Sequence, residues 1–216
     1  MVLISGTAGT GKAALCRRLV AAHPEVERVI TCTTRAPRSG ERNDVDYCFL
    51  SDVQFDQAVA NDEFIEWTRA SGARFGTRKR DLESRLAGDV DVLIHVDVRG
   101  ARVHRQVLEG DAATRSRLVR VFVMPPDARV IQERLAVCGE GTGERLADRL
   151  RISLHEMEQW TQCDYCIVTG TPDEDFAQIE AIWRAEKCRV ARLRQAATMR
   201  TAWMRAESQI PFVLER

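Results

Sequence analysis

The most constraining stretch lies at the start of the chain. Val2-Leu3-Ile4-Ser5 runs into Gly6-Thr7-Ala8-Gly9-Thr10-Gly11-Lys12, and a helix-type pattern follows from Ala13. An apolar strand, a glycine-rich turn and a helix, spaced Gly6-x-x-x-x-Gly11-Lys12, form the pattern of a phosphate-binding loop. In such a turn the backbone N–H groups face an anion, the helix N-terminus adds partial positive charge, and the lysine reaches the terminal phosphates. Lys12 is one of three lysines, with Lys79 and Lys187, in a chain of 29 arginines. One position breaks the pattern. Where a Ser or Thr hydroxyl normally ligates Mg²⁺, the chain has Ala13, and Ala14 follows.

The 216 residues suffice for one large domain, or a core with small insertions, around a real hydrophobic core. A formal net charge of zero argues against bulk nucleic-acid binding. No apolar run approaches the ~20 residues of a membrane span, and a strand opening at Val2 leaves no room for a signal or transit peptide. The seven cysteines, at 16, 32, 48, 138, 163, 166 and 188, are scattered and odd in number. That usage fits reduced thiols and a cytoplasmic location. Cys163-x-x-Cys166, with His155 nearby, is the one spacing suggestive of a metal, but a fourth ligand is not evident.

Patterning predicts alternation. A strand over 2–5 and a helix over 12–22 precede a β-rich run at 27–34 and a polar, turn-rich connection at 36–44. Residues 46–50 read as a strand, and Ser51-Asp52-Val53-Gln54 as a capping box opening a helix to about 60. Strands at 63–70 and 73–77 complete a small β-rich block over 31–80. Alternation resumes with a helix at 78–86, a buried strand at 91–97, and a helix from Gly100. A strand at 118–124, stopped by Pro125-Pro126, and a helix at 127–137 follow. A glycine-rich segment at 139–143, a helix at 144–160, a strand at 165–169 and a helix from 173 close the pattern. Alternating βα units around a phosphate loop predict an α/β fold: a parallel sheet with helices on both faces and ligands at the strands' carboxyl ends. The stretch beyond 187 mixes Lys187, Arg189, Arg192, Arg194, Arg200 and Arg205 with Val190, Leu193, Trp203 and Met204. It reads as a helical extension, either folded back on the core or presenting a basic amphipathic surface.

The inserted block then becomes specific. Thr33-Thr34-Arg35-Ala36-Pro37-Arg38-Ser39-Gly40-Glu41, Asp46-Tyr47-x-Phe49, Glu63-Phe64-Ile65-Glu66-Trp67 and Phe75-Gly76-Thr77 follow the phosphate loop. Val96-Asp97-Val98-Arg99-Gly100, Pro125-Pro126 and Glu133-Arg134-Leu135 come next. In content and order these segments resemble the guanylate kinase family of P-loop nucleoside monophosphate kinases, over about residues 2–187. The resemblance implies a P-loop core (1–30, 81–125 and 161–187), a GMP-binding insertion (31–80) and a helical lid (126–160), with 188–216 as an extension outside it. It implies ATP on Gly6, Thr7, Ala8, Gly9, Thr10, Gly11, Lys12 and Ala13, with Mg²⁺ as cofactor. GMP would lie on Thr31, Arg35, Arg38, Glu41, Tyr47, Glu66, Thr77 and Asp97. Arg35, Arg38 and Tyr47 would hold its phosphate, and Glu66 and Asp97 would accept from the guanine N1–H and amine. Lys12, Arg35, Arg134 and Arg149 would neutralise charge during phosphoryl transfer.

Departures from the family cluster on the ATP side. Ala13 lacks the hydroxyl, His95 stands where the family has an Asp, Cys138 replaces a lid arginine, and Thr169-Gly170 replaces an Asn-Asp pair. On the GMP side, Phe75 replaces a Tyr. No metal ligand is assigned. Two accounts of His95 compete: a weakened metal shell, or an imidazolium standing in for part of the metal's charge. The alternatives to a kinase of reduced activity are a binding module for GMP or a phosphorylated partner, and a small-metabolite kinase with another acceptor.

Overall fold

The computed structural model describes residues 1–7, 9–70, 72–110, 112–137 and 144–189. Five parallel strands make the main sheet: β1 (Val2–Gly6), β2 (Val26–Arg28), β7 (Asp91–His95), β8 (Val119–Met124) and β9 (Tyr165–Val168), in the order β2-β7-β1-β8-β9. Such strands need apolar residues on both faces, because helices cover each side. In β1 every residue is buried. Val2 and Ile4 face α1 (Lys12–Ala22) and α8 (Pro172–Lys187), packing with Leu15, Cys16, Leu19, Ile179 and Trp183. Leu3 faces the other way, into a cluster with Leu82 of α3 (Lys79–Ala87) and Leu108 of α4 (Val98–Glu109). Because β1 is central, between β7 and β8, its carboxyl end opens where the strand order reverses, the usual ligand crevice of such sheets.

The second sheet holds β3 (Cys32–Thr33), β4 (Cys48–Phe49), β5 (Phe64–Ala70) and β6 (Ala73–Arg78), in the order β4-β3-β6-β5. Against it packs α2 (Asp52–Ala60), started by the Ser51/Gln54 capping box that the sequence predicts. Phe55 and Ala58 fill a core with Cys32, Cys48 and Phe64, and Phe55 stacks on Phe64 at 4.6 Å. Arg74 of β6 reaches across to Asp52 and Asp56 on α2. The block is also tied to the main sheet. Arg28, buried at the end of β2, donates to the carbonyls of Val45 and Asp46, while Arg17 of α1 meets the Asp46 carboxylate at 3.2 Å.

The remaining elements are α5 (Ala112–Arg117), α6 (Ala128–Val137) and α7 (Glu144–Met157). Some boundaries differ from the pattern. The β-rich run at 27–34 divides between the two sheets, because Val29 donates to Leu93 O and buries with the main core while Cys32 buries in the insertion. The strand expected at 46–50 shortens to two residues, since Asp46 instead accepts from the backbone N–H of Arg42. The helix expected to reach 160 ends at Met157 in a 3-10 turn, Glu158–Gln162. The helix expected from Gly100 begins at Val98, because Asp97 caps it. Short α5 has no apolar periodicity and was not foreseen. Ala8, Cys138, the 139–143 segment and 190–216 lie outside the described residues. Among the described residues no helix is long and apolar enough to cross a membrane.

Candidate active site

The phosphate loop is built as its glycines require. Gly6 sits at φ 139°, and a Cβ there would lie 2.0 Å from the carbonyl oxygen of Val123 on β8. No side chain fits between those strands. Gly11, at φ 77°, is the N-cap of α1; it supplies no side-chain cap, and the first turn carries no acid. The leading N–H groups of this helix are therefore left for an outside acceptor. Lys12 is buried, and its ammonium donates to Thr7 O at 2.5 Å and Thr10 Oγ1 at 3.3 Å. Thr10 Oγ1 donates in turn to Thr7 O at 2.9 Å. Burial pulls the Lys12 pKa down to about 8, opposed chiefly by the Glu156 carboxylate. Among the described residues the buried Thr7 hydroxyl has no hydrogen-bond partner. Ala13 is half-buried at the start of α1.

His95 ends β7 beside this loop. Burial and the nearby cations Lys12, Arg28 and Arg17 push its pKa down to about 3. The imidazole is therefore neutral at physiological pH, which removes the account in which it supplies positive charge. Among the described residues its buried Nδ1 has no hydrogen-bond partner.

After β3, Arg35 and Glu41 form a two-pronged pair, Nη1 to Oε2 at 2.9 Å and Nη2 to Oε1 at 3.0 Å. Glu41 also accepts from the backbone N–H of Arg38 at 2.7 Å. These contacts, Arg35 first, hold its pKa below the usual carboxylate value. The Arg35 guanidinium lies over the rings of Tyr47 (5.1 Å) and Phe49 (5.8 Å). Burial raises the Tyr47 pKa. Arg38 itself is exposed on the connecting loop. The structure thus gathers Arg35, Arg38, Glu41 and Tyr47, with Glu41 as the organiser.

The third group sits between β5, β6 and the start of α4. A β-bulge between Phe64 and Glu66 sets Glu66 directly opposite Thr77. Thr77 Oγ1 donates to Glu66 Oε1 at 2.8 Å, and Glu66 is only 7 % exposed. Asp97 caps α4 through Oδ1 to Gly100 N at 2.7 Å and accepts from Thr68 Oγ1 through Oδ2 at 3.1 Å. Gly100 lets both carboxylates close in: a Cβ there would stand 3.2 Å from Glu66 Oε2 and 3.3 Å from Asp97 Oδ1. Thr31 is buried nearby and donates to His95 O at 3.2 Å.

A profile of the family described as guanylate kinase matches residues 1–186. The chain belongs to the guanylate kinase family. Among its relatives, a guanylate kinase of Clostridium perfringens strain 13 is 33 % identical over 196 residues, 90 % of this chain and 87 % of that protein. One from Idiomarina loihiensis is 35 % identical over 189 residues, 87 % of each chain. A crystal structure of guanylate kinase from Anaplasma phagocytophilum superposes with a TM-score of 0.69 at 25 % identity, covering 89 % of this chain and 88 % of that one.

Guanylate kinases generally use Mg²⁺ with ATP, which calls for a metal shell at the loop. The residues do not fit one. Ala13 offers no oxygen, His95 is a nitrogen donor beside two arginines and a lysine, and the described residues contain no His/Cys/Asp/Glu cluster able to hold a metal. Arg134 and Arg149 belong to α6 and α7, but their side chains lie outside the described set, as does Cys138. Burial raises the pKa of Cys163 to about 11, and the Cys166 thiol donates to Met124 Sδ.

The sequence reading missed Thr68, His104 and Arg28. Thr68 was open to inference, since it stands two residues from Glu66 on one strand and so shares its face. His104 lies four residues after Gly100 and thus on the same face of α4. Arg28 carries no such signal, because its partners are backbone carbonyls.

Proposed function

We propose that this guanylate kinase-family chain transfers the terminal phosphoryl group of ATP to GMP, giving ADP and GDP, through the residues gathered above. The observation that carries the assignment is the meeting of Glu66 and Asp97 at Gly100. Guanine offers an N1–H and an exocyclic amine on one edge, so an acceptor pair suits it; adenine has no such donor pair there. Thr77 and Thr31 complete the base contacts. Arg35, Arg38 and Tyr47 bind the acceptor phosphate, with Glu41 holding Arg35 in the fork geometry that phosphate oxygens match.

On the donor side, the turn from Gly6 to Ala13 cradles the ATP phosphates, and Lys12 leaves its intraloop carbonyl for the terminal ones. Phosphoryl transfer needs charge neutralisation and in-line alignment more than covalent chemistry. Lys12, Arg35, Arg134 and Arg149 carry that task. Mg²⁺, for which the loop supplies no hydroxyl, would come with ATP and add to the charge neutralisation. The 31–80 block serves as the GMP-binding unit and 126–160 as the lid.

Calorimetry without ATP or metal tests the acceptor assignment. GMP binds, and AMP binds at least ~10-fold more weakly, from loss of a hydrogen bond to a charged acceptor. Equal affinity for the two would overturn it.

A further inference from the structure

Beneath the two carboxylates lies a histidine for which this reading has no use. His104, on α4, is completely buried, and its Nε2 stands 3.2 Å from Thr77 Oγ1 and 3.5 Å from Glu66 Oε1. The direction of this chain follows from donor arithmetic. Thr77 has one hydroxyl proton and gives it to Glu66 Oε1. Toward His104 it can only accept, so Nε2 carries the proton and donates. The donor at Nε2 is thus assigned from the network. Nδ1 is buried and has no hydrogen-bond partner among the described residues.

We propose that His104 is a positioning residue for guanine recognition, fixing the Thr77 hydroxyl, and through it Glu66, by the hydrogen bond from its Nε2. The proposal rests on the reading above, in which Glu66 accepts from the base. A threonine hydroxyl turns freely, and Thr77 could point its proton toward a bound base instead. The Nε2–H takes an oxygen lone pair on one side and so directs the proton to Oε1. Glu66 Oε1 is then occupied from the protein side, and Oε2, beside Gly100, is left to the base. A side chain that merely filled the space under α4 would need no nitrogen. An apolar residue of similar size would pack there with less desolvation.

The test uses the full-length enzyme and three substitutions, H104L, H104N and H104Q, with steady-state kinetics and thermal midpoints. Gln extends its amide to about the reach of Nε2, Asn stops at Nδ1, and Leu has no donor. For H104L and H104N the KM for GMP rises ~5- to 10-fold, the worth of one hydrogen bond. The KM for ATP stays within about twofold in both, since neither substitution touches the phosphate loop. H104Q restores the KM for GMP to within about twofold of wild type, because it restores the donor. If H104L does not fold, the H104N and H104Q pair decides. A wild-type KM for GMP in H104N, or equal rises in H104N and H104Q, would overturn the role of the N–H. A wild-type enzyme that ignores GMP would overturn the base assignment itself, which is a separate and visible failure.

Discussion

Replacing Glu66 with Gln should invert the preference of the acceptor site rather than weaken it. The substitution exchanges one oxygen for an NH₂ group at nearly constant volume. Thr77 Oγ1 donates at 2.8 Å to the Oε1 position, and its oxygen is already engaged by His104. The amide therefore turns its carbonyl toward Thr77 and its NH₂ toward the position of Oε2, beside Gly100. There a donor meets guanine N1–H, also a donor. Losing hydrogen bonds to a charged acceptor, worth about 1.5–3 kcal/mol each, predicts a fall of roughly 10²-fold in kcat/KM for GMP. Adenine has an acceptor at N1, so AMP gains one ordinary hydrogen bond, about 1 kcal/mol or ~5-fold. The ratio of the two specificity constants should move by ~500-fold. Initial rates with each nucleotide in a coupled ADP-release assay measure it, with the thermal midpoint as control. A uniform fall for GMP and AMP, at unchanged thermal midpoint, would refute the hydrogen-bond geometry argued for Glu66 and Thr77.

Other expectations follow from the same site. Gly100→Ala places a methyl 3.2 Å from Glu66 Oε2 and 3.3 Å from Asp97 Oδ1, so the KM for GMP rises although alanine is the better helix former by ~1 kcal/mol; a thermal midpoint that falls while the KM stays constant would contradict this. Lys12, with its pKa lowered to about 8 by burial, loses its charge as pH rises through that value. Because kcat/KM reports the free enzyme, the profile for ATP bends downward above about pH 8, and a flat profile to pH 9.5 would count against the assignment. His95 stays neutral down to about pH 3, so it contributes no inflection between pH 5.5 and 7.5, using ~6.5 as the free value. The pair Ala13→Ser and His95→Asp returns an oxygen to the loop and a carboxylate among three cations; it lowers the Mg²⁺ concentration for half-maximal rate and raises turnover roughly 10-fold. An unchanged Mg²⁺ requirement would contradict that.

The fold was largely legible because the signals were redundant. The glycine loop between an apolar strand and a helix, the apolar strands and the Ser51 capping box each appear where patterning places them. The clearest failures share a cause. The 27–34 run splits, and the 46–50 strand shortens, because Val29 and Asp46 bond to partners distant in sequence or outside the ladder. In the site, motif order led to Glu66, Thr77 and Asp97, yet the shared dependence of the two carboxylates on Gly100 is a matter of close approach, invisible in residue type. His104 was hidden for a similar reason. A histidine on a helix face is commonplace, and only the register that brings Thr77 opposite Glu66 gives it a role.

The most direct test of the central claim is ADP release from ATP with GMP, AMP or no acceptor, each in excess Mg²⁺. The account predicts fast release with GMP and release near the acceptor-free rate with AMP. Acceptor-independent release, or equal rates with AMP and GMP, would contradict it.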